Sequence, residues 1–114
     1  MIEIQQQKIG DKVVTVPGSK SYTHRIFIAA ALSNGECELE NCLQSEDTLF
    51  TRSALTQMGI RIEDHDGSVI VHGGKGKLKP CDTPIYLGNS GTSMRLLAGV
   101  AALGGETYTL TGSD

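Results

Sequence analysis

The sequence predicts a mixed α/β protein assembled from repeated strand–helix–strand units, and two observations carry that expectation. Extended, β-rich stretches alternate with apolar helical patterns, and Gly, Pro or a small polar cap marks each switch. The chain also repeats itself. At an offset of seventy positions Gly18 falls on Gly88, Arg25 on Arg95, Gly35 on Gly105 and Glu36 on Glu106. Each copy reads strand, Gly and small polar residues, Arg, apolar helix, Gly-Glu, strand. Coincidences of this kind at equivalent structural points indicate stacked or wrapped supersecondary units.

Met1 to Gln5 and Lys12 to Val16 read as two short strands around a turn at Gly10-Asp11. A helix follows from about Lys20 to Ser33. Its nearly continuous apolar run, Ile26 to Leu32, implies burial on more than one side, and Asn34-Gly35 stops it. Glu36 to Asn41 alternates like a strand. Ser45 caps a second helix to about Met58, closed by Gly59, with Phe50, Ala54 and Met58 as its core stripe. Asp47 in its first turn reads as a surface acid that complements the helix dipole. Arg61 to Asp64 and Ser68 to His72 form a hairpin through Asp66-Gly67. Gly73 to Lys79 reads as a flexible, basic, solvated loop. Thr83 to Leu87 is a strand leading to a third helix with Met94, Leu97, Ala98 and Ala101 on one face. Gly104-Gly105 ends that helix, and Glu106 to Thr111 is a closing strand.

Composition excludes several classes. The formal net charge is −3 and aromatics are 4% of the 114 residues, so no basic, aromatic-studded surface for nucleic acid is present. The longest apolar run is too short to cross a membrane, and the N-terminus does not read as a signal peptide. Cys37, Cys42 and Cys81 form no CxxC pair, which suits reduced thiols in a cytoplasmic protein. With His24, His65 and His72 they do not supply the spacing of a zinc site.

The chemistry concentrates at the two polar junctions. At Val16 to Arg25, Pro17-Gly18 permits a sharp turn, and small polar residues suit the cap of the following helix. Such a turn aims unpaired backbone N–H groups at one point, where the helix dipole favours an anion. Lys20 and Arg25 add full charge, and the i,i+4 spacing of Ser21 and Arg25 puts them on one helix face. A lysine at the positive end of a helix is disfavoured unless an anion joins it. A substrate phosphate or carboxylate satisfies both cations; an internal partner such as Asp47 is the other solution. Ser21 and Thr23 either donate to that ligand or bond local backbone. Tyr22 and His24 receive no role. Neither a Walker A loop nor a dinucleotide fingerprint is present.

Pro17-Gly18-Ser19-Lys20-Ser21-x-Thr23-x-Arg25, together with Leu87-Gly88-Asn89-Ser90-Gly91-Thr92-Ser93-Met94-Arg95, closely resembles the 5-enolpyruvylshikimate-3-phosphate (EPSP) synthase family. The Ser45-Glu46-Asp47 helix and Leu110-Thr111-Gly112 fit as well. The resemblance spans the whole chain but only a minor part of a usual family member. It implies transfer of the enolpyruvyl group from phosphoenolpyruvate to the 5-hydroxyl of shikimate 3-phosphate, with release of phosphate. That is the penultimate step toward chorismate and aromatic amino acids, and glyphosate inhibits the family. No metal or organic cofactor is implied. By the same resemblance Lys20 contacts both substrates and Ser21 and Arg25 hold shikimate 3-phosphate. Gly91 then lies against phosphoenolpyruvate, with Asn89 and Thr92 lining that region.

The family fold is an inside-out α/β barrel, two domains each of βαβαββ units closing over the substrates. On that pattern one unit covers about 12–72, an incomplete second about 83–114, and strands within 1–16 belong with the other domain. The second copy stops where its second helix would start, as in a chain cut inside a unit. Because the general acid and base are expected elsewhere, these 114 residues alone are expected to be inactive. Truncated units leave edges unpaired, so self-association is a further expectation. Two rivals stand beside this reading. The sister family, UDP-N-acetylglucosamine enolpyruvyl transferase, typically shows Lys-Asn where this chain has Lys20-Ser21. The other is a non-catalytic anion-binding module.

Overall fold

The computed structural model describes residues 1–114. Three helices, α1 (Lys20–Leu32), α2 (Glu46–Gln57) and α3 (Gly91–Ala101), are interleaved with strands β1 (Glu36–Leu39), β2 (Arg61–His65), β3 (Ser68–His72), β4 (Ile85–Tyr86) and β5 (Leu110–Thr111). The mixed α/β class is therefore what the sequence announces.

β1, β3 and β2 form an antiparallel sheet in that order. The register sets Cys37 against Val71 and Ile62 against Val71, so the buried Val71 is the middle of the sheet. β4 and β5 pair in parallel, with α3 as the crossover between them. Parallel neighbours need such a crossover, because a tight turn cannot reverse the chain twice. One core joins both sheets to the helices, with Leu55, Met58, Ile85, Leu87 and Leu97 all fully buried. α2 lies between α1 and α3 and contacts both. Its capping box is complete: Ser45 Oγ accepts from Thr48 N–H, and the Thr48 hydroxyl accepts from Ser45 N–H.

Several expectations are corrected. Met1 to Gln5 and Lys12 to Val16 form no strands; Ile2 with Ile4 and Val14 with Val16 alternate correctly but stand exposed, with no neighbouring strand to complete their hydrogen bonds. β1 ends at Leu39 rather than Asn41, which turns into the left-handed region at φ 51°. The strands expected at Thr83 to Leu87 and Glu106 to Thr111 contract to two residues each, the length over which they face one another. α1 is buried on one side only: Phe27, Ala30 and Ala31 are in the core, whereas Ile26 and Ala29 face out. In α3 the core face is Ser93, Leu97 and Val100, with Met94 and Ala101 at its margins and Ala98 exposed. Likewise Phe50 sits at the edge of the α2 stripe, whose centre is Thr51, Ala54, Leu55 and Met58. The loop after β3 is stitched down rather than free. Gly73, Gly74 and Lys75 donate backbone bonds to Gly35, Ala31 and Ser33, and Lys79 N–H reaches Met58 O.

Candidate functional site: two helix starts joined by a third

Of the three helices, only α2 carries acids in its first turn. The positive ends of α1 and α3 are left without negative charge of their own, which is the electrostatic condition for receiving an anion.

At the first junction Ser19 caps α1, its Oγ accepting from Tyr22 N–H. The turn is tight because Gly18 packs directly on the backbone of Asn41 and Leu43, leaving no room for a side chain. Thr23 fixes the same contact from inside the helix, donating to Ser19 O at 2.6 Å and accepting Leu43 N–H at 3.0 Å. Thr23 therefore bonds local backbone and is not a ligand donor. Lys20 forms an ion pair with Asp47 while its side chain remains 52% exposed. An ammonium has three donors, so the pair leaves Lys20 able to bind a second anion. Arg25 reaches back one turn and donates from Nη1 to Ser21 O at 2.9 Å and to Ser21 Oγ. The sequence-predicted pairing of Ser21 and Arg25 on one face thus exists. It holds the guanidinium in place with its other N–H donors free for a planar anion. Arg25 has no acidic partner; the internal solution falls to Lys20. Asp47 is accordingly more than a dipole-complementing surface acid.

At the second junction Ser90 caps α3, its Oγ accepting from Ser93 N–H, and is itself buried. Gly88 takes the left-handed conformation at φ 53°, and its carbonyl accepts Ser113 N–H at 2.9 Å. Asn89 and Gly91 are exposed and Thr92 half-buried, and neither the Asn89 nor the Thr92 side chain bonds anything in the chain. A Cβ on Gly91 would meet only Arg95 Nη1, at 3.8 Å. Arg95 is exposed and has no acidic partner, so an unneutralised cation stands over the open start of α3. The seventy-residue repeat paired Arg95 with Arg25 and is the signal that could have nominated it.

No hydrogen bond or ion pair joins the two groups directly. They meet through α2: the Asp47 carboxylate holds Lys20, and the Asp47 carbonyl accepts from Ser93 Oγ at 3.1 Å. Sequence reasoning missed His24, Thr51 and Ser93, all fully buried, which run beneath both junctions. A lone polar residue inside an apolar helix carries no pattern that announces it. Burial, with Lys20 and Arg25 nearby, holds the His24 imidazole below its ordinary value, against the opposing pull of Asp47.

A groove of about 520 Å³ runs from the first junction along α1, lined by Gly18, Ser19, Tyr22, Arg25, Ile26 and Ala29. It is mostly apolar and does not include Lys20, Asp47 or the start of α3. No cluster of His, Cys, Asp and Glu suited to a metal ion is present, and no helix is long and apolar enough to cross a membrane.

The fold and these junctions define an α/β unit in which two helices without first-turn acids are both bonded to one carboxylate-bearing helix. Comparison with known proteins narrows that class. The family model for EPSP synthase (3-phosphoshikimate 1-carboxyvinyltransferase) matches residues 4–114, and the chain belongs to that family. It is 46% identical over 116 residues to the 3-phosphoshikimate 1-carboxyvinyltransferase of Methanothermobacter thermautotrophicus, covering 99% of this chain and 27% of the relative. The enzyme of that name from Syntrophobacter fumaroxidans is 45% identical over 100 residues, 88% of this chain and 24% of the relative. The solved structure of EPSP synthase from Acinetobacter baumannii superposes with a TM-score of 0.82 at 39% identity, over 88% of this chain and 23% of that one. The chain thus spans about a quarter of the length of the curated relatives it matches.

Proposed function

We propose that this chain forms the N-terminal part of a 3-phosphoshikimate 1-carboxyvinyltransferase, which moves the enolpyruvyl group of phosphoenolpyruvate to the 5-hydroxyl of shikimate 3-phosphate. The observation that carries the reading is the first junction. An exposed lysine and an arginine pre-oriented by Ser21 flank a helix start that has no acid of its own. In this reading Ser21 and Arg25 hold the shikimate phosphate and Lys20 reaches both substrates. Phosphoenolpyruvate lies against the backbone at Gly91, beside Asn89 and Thr92. The reaction needs no cofactor. Thermal-shift measurements on the complete protein test it: stabilisation by shikimate 3-phosphate, and none by UDP-N-acetylglucosamine, is expected. The reverse pattern would establish the sister activity, and a response to neither compound would favour a binding module.

The domain reading follows the same pattern: one unit over about 12–72, an incomplete one over about 83–114, and a segment within 1–16 that pairs with the other domain. The exposed alternation of Ile2 with Ile4 and of Val14 with Val16 supports strands awaiting neighbours. The protein is cytoplasmic in this reading, which the three unpaired cysteines support. The 114 residues alone do not turn over the substrates in this reading, and they self-associate through unpaired edges. Phosphate release by the purified chain would overturn the first statement, and a monomer at all concentrations in light scattering the second.

A further inference from the structure

His24 is the buried residue that the substrate clamp does not use. It is fully buried, yet only one ring nitrogen has a partner: Nδ1 lies 2.8 Å from Thr51 Oγ1, and Nε2 bonds nothing. The hydroxyls continue from there, Thr51 Oγ1 2.8 Å from Ser93 Oγ and Ser93 Oγ 2.7 Å from Ser90 Oγ.

The direction of each bond follows from the partners. A carbonyl only accepts, so Ser93 gives its proton to Asp47 O. Ser90 Oγ accepts from Ser93 N–H and gives its own proton to Ser93 Oγ. The remaining lone pair of Ser93 takes the Thr51 proton. Thr51 can then only accept from the imidazole, which assigns the proton to Nδ1 and leaves Nε2 a bare lone pair.

We propose that His24, as the neutral Nδ1–H tautomer, is a positioning residue that locks the starts of α1 and α3 to one another through Thr51 and Ser93. The inference rests on the clamp reading above. His24 lies one turn beyond Lys20 in α1, Thr51 one turn beyond Asp47 in α2, and Ser90 is the cap of α3. The N-terminal halves of all three helices are therefore tied by four side chains, and Asp47 braces the tie, its carbonyl bonded to Ser93 and its carboxylate to Lys20. Sliding α1 against α3 must break a buried bond and strand polar atoms where water cannot replace it. The charged groups acting on the ring are Asp47 from α2 and Lys20 and Arg25 from α1, while α3 is bonded to it only through Thr51. Burial, helped by the two cations, outweighs the pull of Asp47 and favours the neutral ring that the lock requires.

The lock uses Nδ1 alone, which gives a discriminating substitution: an asparagine amide places an N–H donor where Nδ1 stands and omits the Nε2 edge. In the complete enzyme, His24→Asn should keep kcat/KM within about threefold, whereas His24→Leu and the isosteric Thr51→Val should each lose about tenfold or more for both substrates. A His24→Asn variant as impaired as His24→Leu overturns the proposal, and so does a drop in Tm for Thr51→Val with kinetics unchanged. If His24→Leu does not fold, Thr51→Val and His24→Asn carry the comparison. The ¹⁵N shifts of the His24 ring in the unsubstituted protein should report a protonated Nδ1 and a bare Nε2 near neutral pH; the opposite tautomer or an imidazolium overturns it. That spectrum needs no substrate, so a protein that turns over neither compound refutes the clamp reading while the spectrum still decides the lock.

Discussion

The two helix starts share an ancestry of pattern but not a chemistry. Their core faces repeat at the seventy-residue offset, Thr23 with Ser93, Phe27 with Leu97, Ala30 with Val100. Both glycines are closely packed, but on different neighbours: Gly18 presses on the backbone of Asn41 and Leu43, and Gly88 on the Phe50 ring, its carbonyl lying against Gly112 and accepting Ser113 N–H. The caps do not repeat, because α3 begins one residue later than its counterpart, so that Ser90 falls where Lys20 stands. The first junction has an exposed cap and side-chain cations. The second has a buried cap, an exposed glycine and a single cation, Arg95, beside open backbone. One frame therefore yields a grip of two side-chain cations on one side and a close-approach surface with one cation on the other, and the helix start shifts by one residue between them.

The sharpest way to break this comparison is at the glycines. In Gly18→Ala the new Cβ would collide with the backbone of Asn41 and Leu43, which has no side chain to swing aside. We expect a loss of about 3 kcal/mol in denaturant unfolding. Gly91→Ala should behave oppositely: its Cβ meets nothing closer than Arg95, so the Tm should hold, while the KM for phosphoenolpyruvate rises about tenfold. Equal destabilisation by the two substitutions would erase the distinction between a structural and a ligand-facing glycine.

Acid titration gives a smaller effect confined to the first junction. His24 is held neutral in the fold, below its ordinary value of 6.5, whereas the unfolded chain takes up the proton normally. Below about pH 6.5 the unfolded state thus binds more protons, and stability falls toward acid from this group. Urea midpoints followed from pH 7.5 to 5 should show that decline, and His24→Asn should flatten it. An unchanged slope in the variant would mean that other groups set the acid limit.

Much of this was legible in the residues themselves. Caps at Ser45 and Gly59, the turn at Asp66-Gly67 and the polar starts of α1 and α3 follow from local chemistry that tertiary contacts did not overrule. The pairing of Ser21 with Arg25 followed from helical spacing alone. What stayed hidden depends on neighbours. Ile2 to Val16 has a strand's alternation but meets no strand, and Ala98 is too small to commit its helix face either way. His24, Thr51 and Ser93 sit on three separate helices, and only packing shows that they form one chain of bonds. Asp47 was visible as an internal partner for the cations of α1, but which of them it would take was not, since charge at two helix starts does not specify which side chain will face it.

The claim that both junctions serve one clamp is tested most directly at Lys20, the cation that reaches across to α2. Phosphate release by the complete enzyme should be measured for Lys20→Ala with each substrate varied in turn. The account predicts that kcat/KM falls about tenfold or more for phosphoenolpyruvate and for shikimate 3-phosphate alike. Unchanged turnover, or a loss for one substrate only, would contradict it.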